Sequence, residues 1–113
     1  ERVEPDPEGR LEGVAGSPGL ATGTARVIRG PHEFDRLQNG DIMIAPYTTP
    51  VWTPLFAIAG GIVTEVGGAL SHGAIVAREY GIPAIVGVRG AMTKLQTGQR
   101  VRVDGNRGIV EVL

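Results

Sequence analysis

The chain has no cysteine, only two histidines, and a formal net charge of −1. Without thiols there is no disulfide framework and no thiolate metal centre, and the composition is compatible with a reducing compartment, so the cytoplasm is the expected location. His32 and His72 stand without a histidine or carboxylate partner at ligand spacing, and no metal site is expected. The near-neutral charge leaves no strongly basic surface for holding a nucleic acid. No apolar run approaches the roughly 20 residues that cross a bilayer, so no membrane partner is expected. The opening Glu1-Arg2-Val3-Glu4-Pro5-Asp6 is too polar for a secretion signal. Internal repeats are absent. Gly98-Gln99-Arg100 and the other glycines lack the lysine spacing of a nucleotide-binding Walker loop.

What is present is a foldable sequence of 113 residues, 42% hydrophobic and 20% charged, enough for one domain with a real core. Its 18 glycines and 8 prolines are spread along the chain, which reads as frequent turns between short elements. The sequence starts at Glu1 without a methionine, as a processed piece or an excised domain would. Residues 1–10 read as a linker remnant and residues 11–113 as the folded domain.

Short strands are expected over Ala21–Arg29, Asp41–Ala45, Ile62–Thr64 and Pro83–Val88, with an apolar stretch at Leu11–Ala15 before a Gly16-Ser17-Pro18-Gly19 turn. Pro31–Leu37 suits one or two helical turns with Phe34 and Leu37 inward. Thr53–Ala59 reads as a helix with Thr53 as N-cap and Pro54 at its first position. Ala91–Leu95 is a short helix or turn. Val101–Asp104 and Ile109–Val112 form a hairpin around Gly105-Asn106-Arg107-Gly108. Strands alternating with short helices make an α/β domain.

Chemistry concentrates at Gly67-Gly68-Ala69-Leu70-Ser71-His72-Gly73-Ala74. Gly67 and Gly68 let the backbone turn sharply and let a bulky anion approach. Ser71 suits an N-cap. Ile75, Val76 and Tyr80, with Ala74 and Ala77 between them, give one packed helical face that ends at Gly81 and Pro83. His72 is then the first residue of a helix, beside unpaired amides and the positive end of the dipole, where a bound or covalent phosphate is favoured. Imidazole has an ordinary pKa of about 6.5, so a nucleophilic lone pair is available near neutral pH. On spacing alone, a histidine near a helix start is more often a cap, a surface residue or a satisfied core polar group than a nucleophile.

The same stretch, continued through Arg78 and Gly81-Ile82-Pro83-Ala84-Ile85-Val86-Gly87, resembles the mobile phosphohistidine domain of phosphoenolpyruvate-utilising enzymes. That family includes phosphoenolpyruvate synthase, pyruvate phosphate dikinase, enzyme I of the sugar phosphotransferase system and rifampicin phosphotransferase. The Ser17-Pro18-Gly19 turn with Gly23-Thr24-Ala25-Arg26-Val27 is similar to the family's opening strand, and Val101–Gly105 with Gly108–Glu111 to its final hairpin. Val51-Trp52-Thr53-Pro54-Leu55-Phe56 and Thr64-Glu65-Val66-Gly67-Gly68 look most like rifampicin phosphotransferases and synthase-like relatives. The chain departs from the synthase and dikinase pattern at Glu65-Val66, where asparagine is usual. Leu70 occupies the place of the dikinase branch's regulatory threonine.

The resemblance implies a single swivelling β/β/α domain in which His72 accepts a phosphoryl group from an ATP-binding domain and delivers it to an acceptor such as pyruvate or a rifamycin hydroxyl. Gly67, Gly68, Ser71, Gly73 and Ala74 would cradle the phosphate. The domain would bind no cofactor itself, with ATP and Mg2+ on partner domains, and its partners would be the ATP-binding and acceptor-binding domains of a parent protein. Glu65 is a candidate to hydrogen-bond the imidazole and set its tautomer, and Arg78 to reach a phosphate or a docking domain. Both compete with plain structural roles, as does Thr64. Trp52 is expected to be a packing anchor and His32 an exposed loop residue. The other class of function is a non-catalytic assembly or regulatory module of the same fold, as on some pyruvate kinases. Retention of His72 with both glycines favours the carrier.

Overall fold

The computed structural model describes residues 9–113, so residues 1–8 of the expected linker remnant lie outside the described residues. In chain order the strands are β1 (Arg10–Glu12), β2 (Val14–Ser17), β3 (Leu20–Val27), β4 (Ile42–Ala45), β5 (Gly61–Thr64), β6 (Ala84–Val86), β7 (Arg100–Asp104) and β8 (Ile109–Val112). Two α-helices, α1 (His72–Tyr80) and α2 (Ala91–Lys94), and two 3₁₀ helices, Pro31–Arg36 and Pro50–Ala57, join them.

Strand alternation divides the interior into two cores. β4, β5 and β6 run parallel and are buried along their whole length, as expected of strands covered on both faces. Successive side chains leave opposite faces of a strand. Ile42, Ile44, Val63 and Ile85 therefore enter one core, with Val27 of β3 and with Val101, Val103 and Val110 of the antiparallel β7 and β8. Met43, Ala45, Ile62 and Ala84 enter the other, where Trp52, Leu55, Phe56, Val76 and Ala77 cover them from the helices. The layers are thus strand, strand and helix, which bears out the α/β expectation.

The strand order is β1-β8-β7-β3-β4-β5-β6-β2. β1 and β2 stand at its two ends but are separated only by Gly13, so residues 10–17 close the sheet on itself. β1 pairs with β8 and β2 with β6, both antiparallel. This closure accounts for two differences from the sequence reading. Ser17 lies opposite Ala84 in β2 rather than in a turn, and Arg10 lies opposite Glu111, inside the expected linker remnant. Both residues are recruited by partners far along the chain that local pattern does not reveal. The expected hairpin forms in the register Asp104 to Ile109, and the Asp104 carboxylate accepts the amides of Asn106 and Arg107 at 3.0 and 3.1 Å.

A second correction concerns the helix before β5. It starts at Pro50, not Thr53, and is 3₁₀ rather than α, with Thr49 as N-cap and Pro54 inside it. Proline at an α-helix interior removes an amide and collides with the carbonyl four residues back, and a short 3₁₀ run tolerates it better. The Trp52 amide bonds the Thr49 carbonyl at 2.8 Å, the three-residue closure of that helix. Trp52 is buried and packs edge-to-face on Phe34 with centroids 4.8 Å apart, the anchor role expected of it. His32 is exposed as expected, although it sits in the Pro31–Arg36 3₁₀ helix rather than in a loop.

Glu33 is a buried carboxylate in that first 3₁₀ helix. It accepts the Arg29 amide at 2.8 Å and the Arg36 guanidinium at 3.2 Å. Its pKa lies below the ordinary glutamate value, first because of the Arg29 amide and, against the opposing effect of burial, because of the Arg36 and Arg29 charges and His32. A depressed carboxylate pKa contributes stability above the unfolded-state value and loses it as pH falls through the folded-state one. Glu33→Gln should therefore lower the melting temperature at pH 7, and the gap to wild type should narrow below about pH 4. Thermal melts at pH 7 and pH 3 check this; an equal gap at both would contradict it.

Candidate functional site

The site is built where β4 and β5 end and α1 begins. β5 finishes at Thr64, residues 65–71 form a loop, and α1 starts with His72 as its first residue, as the sequence reading expected. Ser71 is the N-cap, its side chain accepting the Ala74 amide at a long 3.5 Å. Gly81 closes the helix in the left-handed conformation, φ 71°. The 65–71 loop is tied to the loop after β4, since the Val66 amide bonds the Pro46 carbonyl at 3.0 Å. That tie brings residues 46–49 against the start of α1.

The imidazole of His72 is held on three sides. Thr48 Oγ1 lies 2.8 Å from Nδ1, and Thr48 is only 8% exposed. Thr53 Oγ1 lies 3.5 Å from Nε2. Phe56 meets the ring edge-to-face, centroids 6.1 Å apart and planes at 84°. The buried hydroxyl thus occupies Nδ1, and Nε2 has only the longer contact to Thr53. When Nδ1 carries the proton and donates it to Thr48 Oγ1, the Nε2 lone pair is free for attack, because the partner of one ring nitrogen decides the state of the other.

Two glycines are required by this geometry. Gly67 has φ +132°, a region that side chains rarely enter. At Gly73 a Cβ would stand 3.1 Å from Thr48 Oγ1, so a side chain there would crowd the hydroxyl that holds Nδ1. Gly68 differs from expectation: it has no positive φ and a Cβ would meet nothing within 4 Å, so the hinge character resides in Gly67. Gly73 and Ala74 are buried, and the Ala74 amide is already engaged by the Ser71 cap. A phosphate using that amide would have to displace Ser71.

Glu65 and Arg78 are placed away from the imidazole. The Glu65 carboxylate accepts the Met92 amide at 3.1 Å, at the start of α2, and it is Thr48, not Glu65, that hydrogen-bonds the imidazole, at Nδ1. β5 ends one residue earlier, so the side chain of Glu65 follows the strand alternation toward α2 rather than α1. Arg78 lies beyond the first turn of α1. Its Nε donates to the Gly16 carbonyl at 2.8 Å and a terminal nitrogen donates to the Ala69 carbonyl. Arg78 therefore clamps the 65–71 loop to β2. It also lines a cleft of about 310 Å³ with Ala15, Gly16, Ser17, Pro18, Gly105 and Asn106, which shares no residue with the His72 site. Thr64 ends β5 as a strand residue, 1% exposed, and its Oγ1 is buried without a hydrogen-bond partner. Among the described residues no group of three or more histidines and carboxylates is placed to hold a metal ion. No helix there is long and apolar enough to cross a membrane.

Thr48, Thr53 and Phe56 went unrecognised in the sequence as partners of His72. The available signal was positional: Thr48 follows a fully buried strand, where α/β folds place chemistry, and Thr53 and Phe56 are three apart in a proline-bounded segment.

Comparison with known proteins identifies the family. Residues 37–108 match the family described as PEP-utilising enzyme, mobile domain. The chain belongs to that family. It is 50% identical over 107 residues to a rifampicin phosphotransferase of Streptomyces sviceus, covering 95% of this chain and 12% of that protein. It is 47% identical over 100 residues to a probable phosphoenolpyruvate synthase of Methanothermobacter thermautotrophicus, covering 88% of this chain and 15% of that one. Among solved structures, Enzyme I superposes with a TM-score of 0.61 at 38% identity, over 70% of this chain and 33% of that one. The chain thus spans a small part of the relatives it matches.

Proposed function

We propose that this domain is the mobile phosphoryl carrier of a multidomain phosphotransferase, and that Nε2 of His72 is the atom that carries the group. The observation that supports it most is the Thr48 hydroxyl at 2.8 Å on Nδ1, which orients the ring and leaves Nε2 with only the long contact to Thr53, at a helix start. In this reading an ATP-binding domain of the parent protein, with Mg2+, supplies the phosphoryl group. The domain then swings to an acceptor-binding domain. The acceptor would be a rifamycin hydroxyl or pyruvate, in line with the names rifampicin phosphotransferase and probable phosphoenolpyruvate synthase of the relatives. The drawing of phosphoryl groups from ATP fits a cytoplasmic protein.

The work asked of the domain is positioning, because phosphoryl transfer depends mainly on alignment and charge stabilisation. Nε2 attacks the transferred phosphorus in line with the leaving oxygen, and the ring keeps its Nδ1 proton on Thr48. A non-catalytic assembly module would have no use for hydroxyls at both ring nitrogens, which favours the carrier. The test is to supply the parent protein with ATP labelled at the β- or at the γ-phosphate, in separate runs. Acid-labile, base-stable label on His72 from one of them is the expected result, and a protein that stays unlabelled by both would overturn the proposal.

A further inference from the structure

We propose that Thr53 is the residue of this chain that receives the phosphoryl group at His72, its hydroxyl passing from Nε2 in the resting domain to a phosphoryl oxygen once Nε2 is phosphorylated. This rests on the carrier reading of His72. Three observations lead to Thr53. First, a 3₁₀ helix repeats every three residues, so side chains at i and i+3 eclipse. Thr53 and Phe56 accordingly share one face of Pro50–Ala57 and both meet the imidazole, Thr53 Oγ1 at 3.5 Å from Nε2 and Phe56 at a centroid distance of 6.1 Å.

Second, the segment is rigid. Pro50 and Pro54 fix two of its φ angles, and Trp52, Leu55 and Phe56 are buried on either side of Thr53. The backbone that carries the hydroxyl is thereby fixed beside the imidazole.

Third, the one cation on the elements that meet the imidazole is Arg78, and it is turned elsewhere. The sequence has no lysine or arginine between Asp41 and Arg78. Arg78 is engaged by the Gly16 and Ala69 carbonyls. The single carboxylate in that span, Glu65, faces the Met92 amide. Thr48 lies on the other ring nitrogen, and Ser71 Oγ accepts the Ala74 amide. Thr53 is the hydroxyl placed beside Nε2, where a doubly charged phosphoryl would need a side-chain donor.

The step balances without any proton leaving Thr53. The Nε2 lone pair forms the N–P bond while the bond from phosphorus to a bridging oxygen of ATP breaks, its electron pair leaving on that oxygen with the remainder of the nucleotide. The Nδ1 proton stays on the ring. Thr53 keeps its own proton and changes only the atom to which it donates.

The experiment compares wild type, Thr53→Val, Thr53→Ala and Thr53→Ser in the parent protein, phosphorylated with labelled ATP. The native-state lifetime of the phosphohistidine should fall about tenfold in the valine and alanine variants, the size of one charge-assisted hydrogen bond, and recover in the serine variant. In denaturant all lifetimes should converge, because the effect belongs to the folded site. A valine or alanine variant that folds and holds phosphate as long as wild type would overturn the Thr53 role alone. Lifetimes that differ equally in denaturant, or a serine variant as short-lived as valine, would do the same. A wild type that carries no label on His72 would overturn the carrier reading and this proposal with it.

Discussion

A His72→Gln protein should take up no phosphoryl group from ATP and should melt within a degree or two of wild type. Glutamine retains a polar group that can still meet Thr48, and it lacks the aromatic nitrogen lone pair that forms a phosphoramidate. His72 is only partly buried and caps no other element, since Ser71 is the N-cap. Substitutions of that kind change stability by about 0.5 kcal/mol or less, so loss of labelling cannot be attributed to unfolding. Removal of a covalent nucleophile abolishes the step itself rather than slowing it. Residual acid-labile label on the variant would place the phosphohistidine elsewhere, with His32 the other histidine of the chain.

The second large effect is expected at Thr48. Thr48→Val keeps the shape of a buried residue and removes the hydroxyl 2.8 Å from Nδ1. The ring then loses the contact that fixes its orientation and tautomer, and Nδ1 faces an apolar group. Partners that orient a functional histidine are typically worth 10- to 100-fold in activity, so the initial rate of labelling should fall by about that factor. Thr48→Ser should restore most of it. Equal labelling by the valine variant would mean that the Thr48 contact does not orient the nucleophile.

The layered fold was legible because its short strands are written as apolar runs, and the hairpin because Asp104–Gly108 has strong turn chemistry. The helix at His72 was legible from Ser71 and Gly81, whose capping chemistry is local. What escaped was set by distant partners. The strand role of Ser17 depends on Ala84, and that of Arg10 depends on Glu111. Thr53 reads as an N-cap because Pro54 follows it, yet Pro50 starts the helix earlier and leaves Thr53 free to face His72. The partners of the imidazole could not be read from spacing, since Thr48 and Thr53 stand 24 and 19 residues before it. Glu65 is closer in sequence but is carried toward α2 by the end of β5. Loop connection, not sequence distance, decides which hydroxyl meets which ring nitrogen.

The central claim is that one atom of the chain, Nε2 of His72, holds the phosphoryl group. The most direct measurement is nitrogen–phosphorus NMR on the parent protein, labelled with 15N at histidine and phosphorylated by ATP. A phosphorus coupling at Nε2 of His72, with Nδ1 retaining its proton, is the predicted result. Coupling at Nδ1, or phosphate on Ser71 or any residue other than His72, would contradict it.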